Sequence, residues 1–91
     1  MYRIIDKRGT GKTSRLLLLA KENNGIVVCK RPEEMVEKAY AYGLTGIEYV
    51  AYGLFSPNEW ISTEKPFFID DLDAYLKYWN KNIKGYTISE D

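Results

Sequence analysis

The hydrophobic positions of the chain fall into short runs separated by polar and helical stretches. Five runs have the apolar, β-branched or aromatic character of strands, and they cover residues 2–5, 26–29, 47–52, 67–69 and 85–89. The run at 26–29 contains no charged or amide side chain, which is typical of a parallel strand buried on both faces. These runs predict five strands.

Helical patterns occupy the first two intervals between these runs. Residues 13–23 predict a helix that stops at Asn24-Gly25, because both residues tolerate the left-handed backbone that ends helices. Pro32 suits a first helical position and predicts a second helix that runs to about residue 42, before Gly43. Its apolar stripe is expected to comprise Met35, Val36, Ala39 and Tyr40.

The later intervals are shorter. Ser56 and Glu59 form a capping-box pattern that predicts a short helix with Ser56 as its cap, and residues 72 to about 79 predict a final helix. Alternation of strands and helices over so few residues predicts one domain, residues 1–91, of the α/β class. We expect a three-layer structure with a five-stranded parallel sheet.

Composition excludes several classes of function. The 91 residues include 13 basic and 13 acidic side chains, so no bulk attraction to nucleic acid or to a membrane is expected. No apolar run is long enough to span a bilayer, and we expect a cytoplasmic protein. The absence of histidine excludes Ser-His-Asp triads and histidine metal sites. The single cysteine, Cys29, cannot form a disulfide within the chain, and its apolar neighbours indicate a buried structural thiol.

A glycine-containing loop connects the first predicted strand to the first predicted helix. Residues 6–13 read D-K-R-G-T-G-K-T, which matches the phosphate-binding P-loop pattern G-x-x-x-x-G-K-[ST] except that Asp6 replaces the first glycine. Glycines let successive N–H groups converge on one anion, and the helix that follows directs its positive end there. The motif therefore predicts nucleotide binding by Arg8, Gly9, Thr10, Gly11, Lys12, Thr13 and Ser14.

Two of these side chains have specific expected roles. Lys12 would contact the β- and γ-phosphates and assist catalysis, and the hydroxyl of Thr13 would bind Mg²⁺. The alternative is a glycine-rich turn before an ordinary helix. That alternative does not explain a lysine at the start of a helix, where the dipole disfavours cations.

A second motif follows the fourth predicted strand. Residues 67–69 are apolar and are followed by Asp70 and Asp71, as in a Walker B motif. Asp70 would hold Mg²⁺, since this cation prefers oxygen ligands, and Asp71 would activate the attacking water. The alternative is an acidic first turn of the last helix. Because parallel strands end at one edge of a sheet, both motifs are expected to meet there. ATP and Mg²⁺ are the expected cofactors.

With these two motifs in this order, the chain resembles the P-loop NTPases of the additional-strand (RecA-like) division. It looks most like a minimal first lobe of a superfamily 1 or 2 helicase, and it is also similar to small P-loop proteins encoded by bacteriophages. The resemblance covers nearly the whole chain, with residues 86–89 as the sensor strand, but only the two Walker motifs are specific. It implies a RecA-like core that hydrolyses ATP. Asp71 departs from the Glu common at its position, and no second lobe supplies an arginine finger.

The resemblance leaves three functions to compare. The first is ATP or NTP binding with slow or partner-dependent hydrolysis, in which a second copy or a partner protein completes the site. The second is a non-enzymatic interaction or inhibitor module of the phage type with a vestigial nucleotide site. The third, a nucleotide or nucleoside kinase, normally needs a lid and a substrate-binding insertion for which the chain has no room. In helicase lobes the loop matched by Lys30 and Arg31 contacts nucleic acid, but such a loop is also commonly just solvated.

Overall fold

A computed structural model describes residues 12–81 of the chain. In chain order the elements are α1 (Lys12–Glu22), β1 (Ile26–Cys29), α2 (Pro32–Ala41), β2 (Glu48–Ala51), a 3₁₀ turn (Tyr52–Leu54), α3 (Glu59–Ser62), β3 (Phe67–Ile69) and α4 (Leu72–Trp79). The strands predicted at 2–5 and 85–89 lie outside the described residues, as do the loop residues Arg8, Gly9, Thr10 and Gly11.

The sheet of the described region is parallel throughout and has β1 at its centre. Its strand order is β2-β1-β3, and Ile26 of β1 is in register with Glu48 on one side and Phe67 on the other. The α/β class is therefore confirmed. Residues 12–81 contribute three strands, compared with the five expected for the whole chain.

Helices cover both faces of this sheet. Val27 and Cys29 pack with α1 and α2 on one face, through side chains that include Leu17, Met35 and Ala39. Val28 points to the opposite face, where it packs with Tyr52, Phe55 and Tyr75. The alternation along β1 explains why its apolar run has no polar break, since each residue meets a packed layer.

The two connections between strands cross opposite faces of the sheet and place β2 and β3 on opposite sides of β1. Helix α2 leads from β1 to β2 on one face. The chain then returns across the other face, where Trp60 of α3 stacks on Tyr75, and reaches β3 on the far side of β1. A crevice forms at such a reversal point, outside the carboxyl ends of the two strands, and it is the usual ligand site of parallel α/β sheets.

The end of α1 confirms the predicted stop. Asn24 adopts the left-handed conformation with φ of 51°, and the Gly25 N–H donates to the Ala20 carbonyl at 2.8 Å. Gly25 also lies tightly against β3, because a Cβ there would be 2.6 Å from Phe68 Cε2 and 2.9 Å from the Pro66 carbonyl oxygen. This close approach fixes where α1 passes into β1.

Two predicted details were wrong. Ser56 does not cap α3. The helix begins at Glu59 after Asn58, which has no side-chain capping bond, and the Ser56 carbonyl accepts the Glu59 N–H at 2.8 Å in the preceding turn. The Pro-Asn turn thus delays the start of the helix.

The apolar stripe of α2 is also narrower than predicted. Met35 and Ala39 are buried, but Val36 is 49% exposed and Tyr40 is 75% exposed. The reason is that α2 packs on one layer only, so the residue after each buried position lies about 100° around the helix and faces outward. Across residues 12–81, no helix combines the length and apolar content needed to cross a membrane.

Candidate functional site

Helix α1 begins at the residues for which phosphate contacts were predicted. Lys12, Thr13 and Ser14 form its first turn, which contains no acidic side chain. Leu17 and Ala20 are buried and hold the helix against the sheet. Because α1 ends just before β1 begins, it runs antiparallel to the strands, and its N-terminus faces their carboxyl edge. The first N–H groups of a helix have no acceptor within it and favour an anion.

Asp70 lies at this same edge, one residue beyond β3. Its backbone N–H donates to the Val28 carbonyl at 2.9 Å, which continues the pairing with β1. The side chain is partly buried, and both this burial and the neighbouring Asp71 raise the pKa of the Asp70 carboxyl, whereas Lys38 and Lys12 lower it. Lys12 and Asp70, far apart in the chain, thus both lie at the carboxyl edge of the sheet.

Asp71 has a structural role in the described geometry. It adopts the left-handed conformation, with φ of 60° and ψ of 76°, and its Oδ1 accepts the Ala74 N–H at 3.2 Å. It therefore caps α4, which is the alternative that the sequence left open. Its role in activating water stays a prediction.

Tyr52 supports the turn that carries both aspartates. Its side chain is buried, and its hydroxyl donates to the Asp70 carbonyl at 2.5 Å, with a longer contact of 3.3 Å to the Asp71 carbonyl. Burial is the main reason why the pKa of Tyr52 is raised well above its usual value, so the hydroxyl stays protonated. The sequence places Tyr52 at the carboxyl edge of the sheet but does not indicate these hydrogen bonds, because a tyrosine at the end of a strand has no characteristic partner.

A crevice of about 290 Å³ opens beside Asp70, between the carboxyl ends of β1 and β3. Its described lining consists of Cys29, Lys30, Arg31, Glu34, Met35, Lys38 and Asp70. Arg31 and Glu34 form an exposed ion pair at 3.1 Å. Sequence reasoning missed Glu34 and Lys38, although their four-residue separation on α2 places them on one helical face and could have indicated a shared site.

Cys29 lies at the crevice but is not a reactive thiol. It is 1% exposed, and burial together with the charge of Asp70 raises its pKa to about 12. At neutral pH the thiol is therefore neutral, and the thiolate is the form that reacts with electrophiles. The prediction of a buried structural thiol is confirmed.

The described residues offer a magnesium ion few protein ligands. No group of three or more Cys, Asp or Glu side chains within residues 12–81 could hold a metal ion. Mg²⁺ usually keeps several waters and binds one or two protein groups together with substrate phosphates. The Thr13 hydroxyl and the Asp70 carboxylate fit such a donor set.

Comparison of the chain with protein-family models, with curated proteins and with solved structures finds no match.

Proposed function

We propose that the chain binds a magnesium nucleoside triphosphate, with ATP as the expected nucleotide, at the carboxyl edge of its sheet. The observation that carries this proposal is that the N-terminus of α1, which begins at Lys12, and Asp70, one residue beyond β3, both lie at the carboxyl edge of the sheet. A helix N-terminus with a lysine and a hydroxyl, facing a strand-end carboxylate, supplies the two halves of a phosphate–magnesium site. In this proposal the described strands are part of a five-stranded RecA-like sheet.

Each described side chain has a distinct task in such a site. Lys12 neutralises phosphate charge, and Thr13 donates its hydroxyl oxygen to the metal. Asp70 would hold the metal through a water; burial and the neighbouring Asp71 raise the pKa of its carboxyl, and the charges of Lys38 and Lys12 offset part of that rise. Bound Mg²⁺ would withdraw charge from the phosphate oxygens. Arg8, Gly9, Thr10 and Gly11 complete the phosphate loop in this proposal.

Hydrolysis in this proposal is slow or depends on a partner. Asp71 is engaged in capping α4, so the carboxylate predicted to orient water is already hydrogen bonded. Glu34, the carboxylate that lines the crevice besides Asp70, is paired with Arg31. In this proposal a second copy of the chain or another protein supplies an arginine that stabilises the charge of the transition state.

An interaction module is the second candidate. The observation that favours it is the exposure of large apolar side chains on and near α3, where Ile61 is 91% exposed and Leu54 is 78% exposed. Such side chains are common at contact surfaces. This function requires no nucleotide, and binding experiments therefore separate it from the first.

The nucleotide proposal is tested by calorimetric titration of the chain with ATP and Mg²⁺. We expect saturable binding that Lys12→Ala removes almost completely, because this lysine contacts phosphates and is exposed rather than part of the core. Lys77→Ala, which removes an exposed lysine from α4, is the matched control and should bind normally. Absence of binding by the unmodified chain, or equal binding by Lys12→Ala, would contradict the proposal.

A further inference from the structure

The turn between β3 and α4 is hydrogen bonded by Tyr52, a residue of the 3₁₀ turn that follows β2. Tyr52 begins the 3₁₀ turn after β2, on the face of the sheet opposite to α1 and α2. Its ring packs edge to face against Tyr75, with centroids 5.3 Å apart, and against Tyr78 at 6.0 Å. These ring contacts orient the Tyr52 hydroxyl so that it donates to the Asp70 carbonyl and lies near the Asp71 carbonyl.

Asp71 supplies other restraints on that turn, since its Oδ1 accepts the Ala74 N–H at 3.2 Å and its carbonyl accepts the Tyr75 N–H at 3.0 Å. Strand β3 is only three residues long, and Asp71 adopts a left-handed conformation that is unfavourable for a residue with a side chain. The Asp70 N–H is bonded to Val28, but its carbonyl is bonded by the Tyr52 hydroxyl. The position of the Asp70 side chain therefore depends on both bonds, one on each side of its Cα.

We propose that Tyr52 is a positioning residue for the magnesium site: its hydroxyl fixes the Asp70 backbone so that the carboxylate stays at the crevice. This inference rests on the proposed nucleotide function. Groups that orient a metal ligand without touching the metal typically contribute about 10- to 100-fold to metal affinity. The same hydroxyl plays no part in binding the phosphates, so its loss should affect only binding that depends on the metal.

The chain contains a matched control for this role. Tyr75 is also buried in the same cluster, and its hydroxyl also donates to a backbone carbonyl, that of Phe55. Tyr75→Phe therefore removes this bond, and the bond that the hydroxyl accepts from Trp60 Nε1–H at 3.2 Å, without removing a bond to the Asp70 carbonyl. Any loss due only to a weakened core should appear in both variants.

The experiment compares the affinity for ATP with Mg²⁺ and for ATP with EDTA in the unmodified chain, Tyr52→Phe and Tyr75→Phe. We expect Tyr52→Phe to lower the affinity for Mg-ATP by about tenfold and to leave the metal-free affinity unchanged. Tyr75→Phe should change neither value. Adding Tyr52→Phe to Asp70→Asn should cause no further loss, because the carboxylate that Tyr52 positions is already gone.

The outcomes separate the two claims. Failure of the unmodified chain to bind Mg-ATP overturns the proposed function and this inference with it. Normal binding by the unmodified chain with full Mg-ATP affinity in Tyr52→Phe overturns the inference alone. Equal losses with and without Mg²⁺, or equal losses in Tyr52→Phe and Tyr75→Phe, also overturn it, since they would show a general effect on the core.

Discussion

Asp70 holds a carboxyl group at the end of β3, where the chain passes into α4. It is partly buried beside another carboxylate, and both features raise its pKa above the value of an exposed aspartate. A carboxyl whose pKa is higher in the folded than in the unfolded protein makes folding less favourable as the pH rises through that folded pKa. The ionised side chain therefore lowers stability at neutral pH, which is common for residues retained for function.

We predict that Asp70→Asn unfolds at a higher urea concentration than the unmodified chain at neutral pH. The amide keeps the shape of the side chain but has no charge to desolvate. As the pH falls through the pKa of Asp70, the difference should shrink, because the aspartate then becomes neutral too. Urea unfolding across this pH range measures both values. A variant that is less stable at neutral pH would show that Lys12 and Lys38 outweigh the burial of the charge.

Asp71 allows capping and catalysis to be separated by the choice of substitution. Asparagine caps helices about as well as aspartate and tolerates the left-handed backbone, whereas alanine does neither. We predict that Asp71→Asn keeps its stability and that Asp71→Ala loses about 2 kcal/mol, measured by urea unfolding. If Asp71 activates water, Asp71→Asn should slow ATP hydrolysis and leave Mg-ATP affinity unchanged. Slower hydrolysis in Glu34→Gln alone would assign that role to Glu34.

At the level of elements, the junction between α1, β1 and β3 depends on the absence of a side chain at Gly25. A Cβ there would meet Phe68 and the Pro66 carbonyl, and that carbonyl already accepts the Ile26 N–H at 2.9 Å. Neither group can move freely. Gly43 provides a contrast, because nothing lies within 4 Å of its Cβ position but its φ is 76°.

We predict that Gly25→Ala lowers the free energy of unfolding by about 2 kcal/mol or more through overpacking. Gly43→Ala should lose about 1 kcal/mol through backbone strain alone. Thermal and urea unfolding of both variants measure the difference. A smaller loss in Gly25→Ala than in Gly43→Ala would mean that Phe68 and Pro66 yield more easily than their hydrogen bonding suggests.

An element can be predicted from the sequence when the residues that determine it lie within its own segment. The strand at 26–29, the helix opened by Pro32 and the helix at 72–79 were predicted closely, because their apolar runs and end signals lie within the segment itself. The delayed start of α3 and the exposure of Val36 and Tyr40 depend on packing against other elements. They could therefore not be predicted from the residues of each helix alone. At the site, Lys12 and Asp70 came from motifs, whereas the hydrogen bonds of Tyr52 and the place of Lys38 in the crevice became visible only once distant elements were placed together.

At the scale of the whole molecule, the chain adds β2 on one side of β1 and β3 on the other, and this reversal of strand order places the crevice. Helix α2 brings Lys38 to it, β3 brings Asp70, and α1 brings Lys12 near Asp70. Three separate parts of the chain thus contribute charge to one edge. The net charge of zero over the 91 residues therefore conceals a local cluster of opposite charges.

If the chain has the proposed nucleotide function, the same arrangement would limit the rate of ATP hydrolysis by the isolated chain. Lys12 and Mg²⁺ would neutralise only part of the charge that develops on the γ-phosphate, and an arginine supplied from outside contributes on the order of a thousandfold or more in such enzymes. We predict that dilute protein hydrolyses ATP well below the roughly 1–100 s⁻¹ of assembled phosphoryl-transfer enzymes. The rate per chain should rise with protein concentration if Arg8 or Arg15 acts from a second copy, and Arg8→Ala or Arg15→Ala should then abolish the rise.

Steady-state phosphate release over a range of protein concentrations measures this rate, with Lys12→Ala as the blank for contaminating activity. Sedimentation at the same concentrations shows whether any rise in rate accompanies association. A fast rate that does not change with concentration would contradict the prediction. In that case one chain would hold every cationic group the reaction needs, and Lys38, which lines the crevice with Asp70, would be the first residue to substitute.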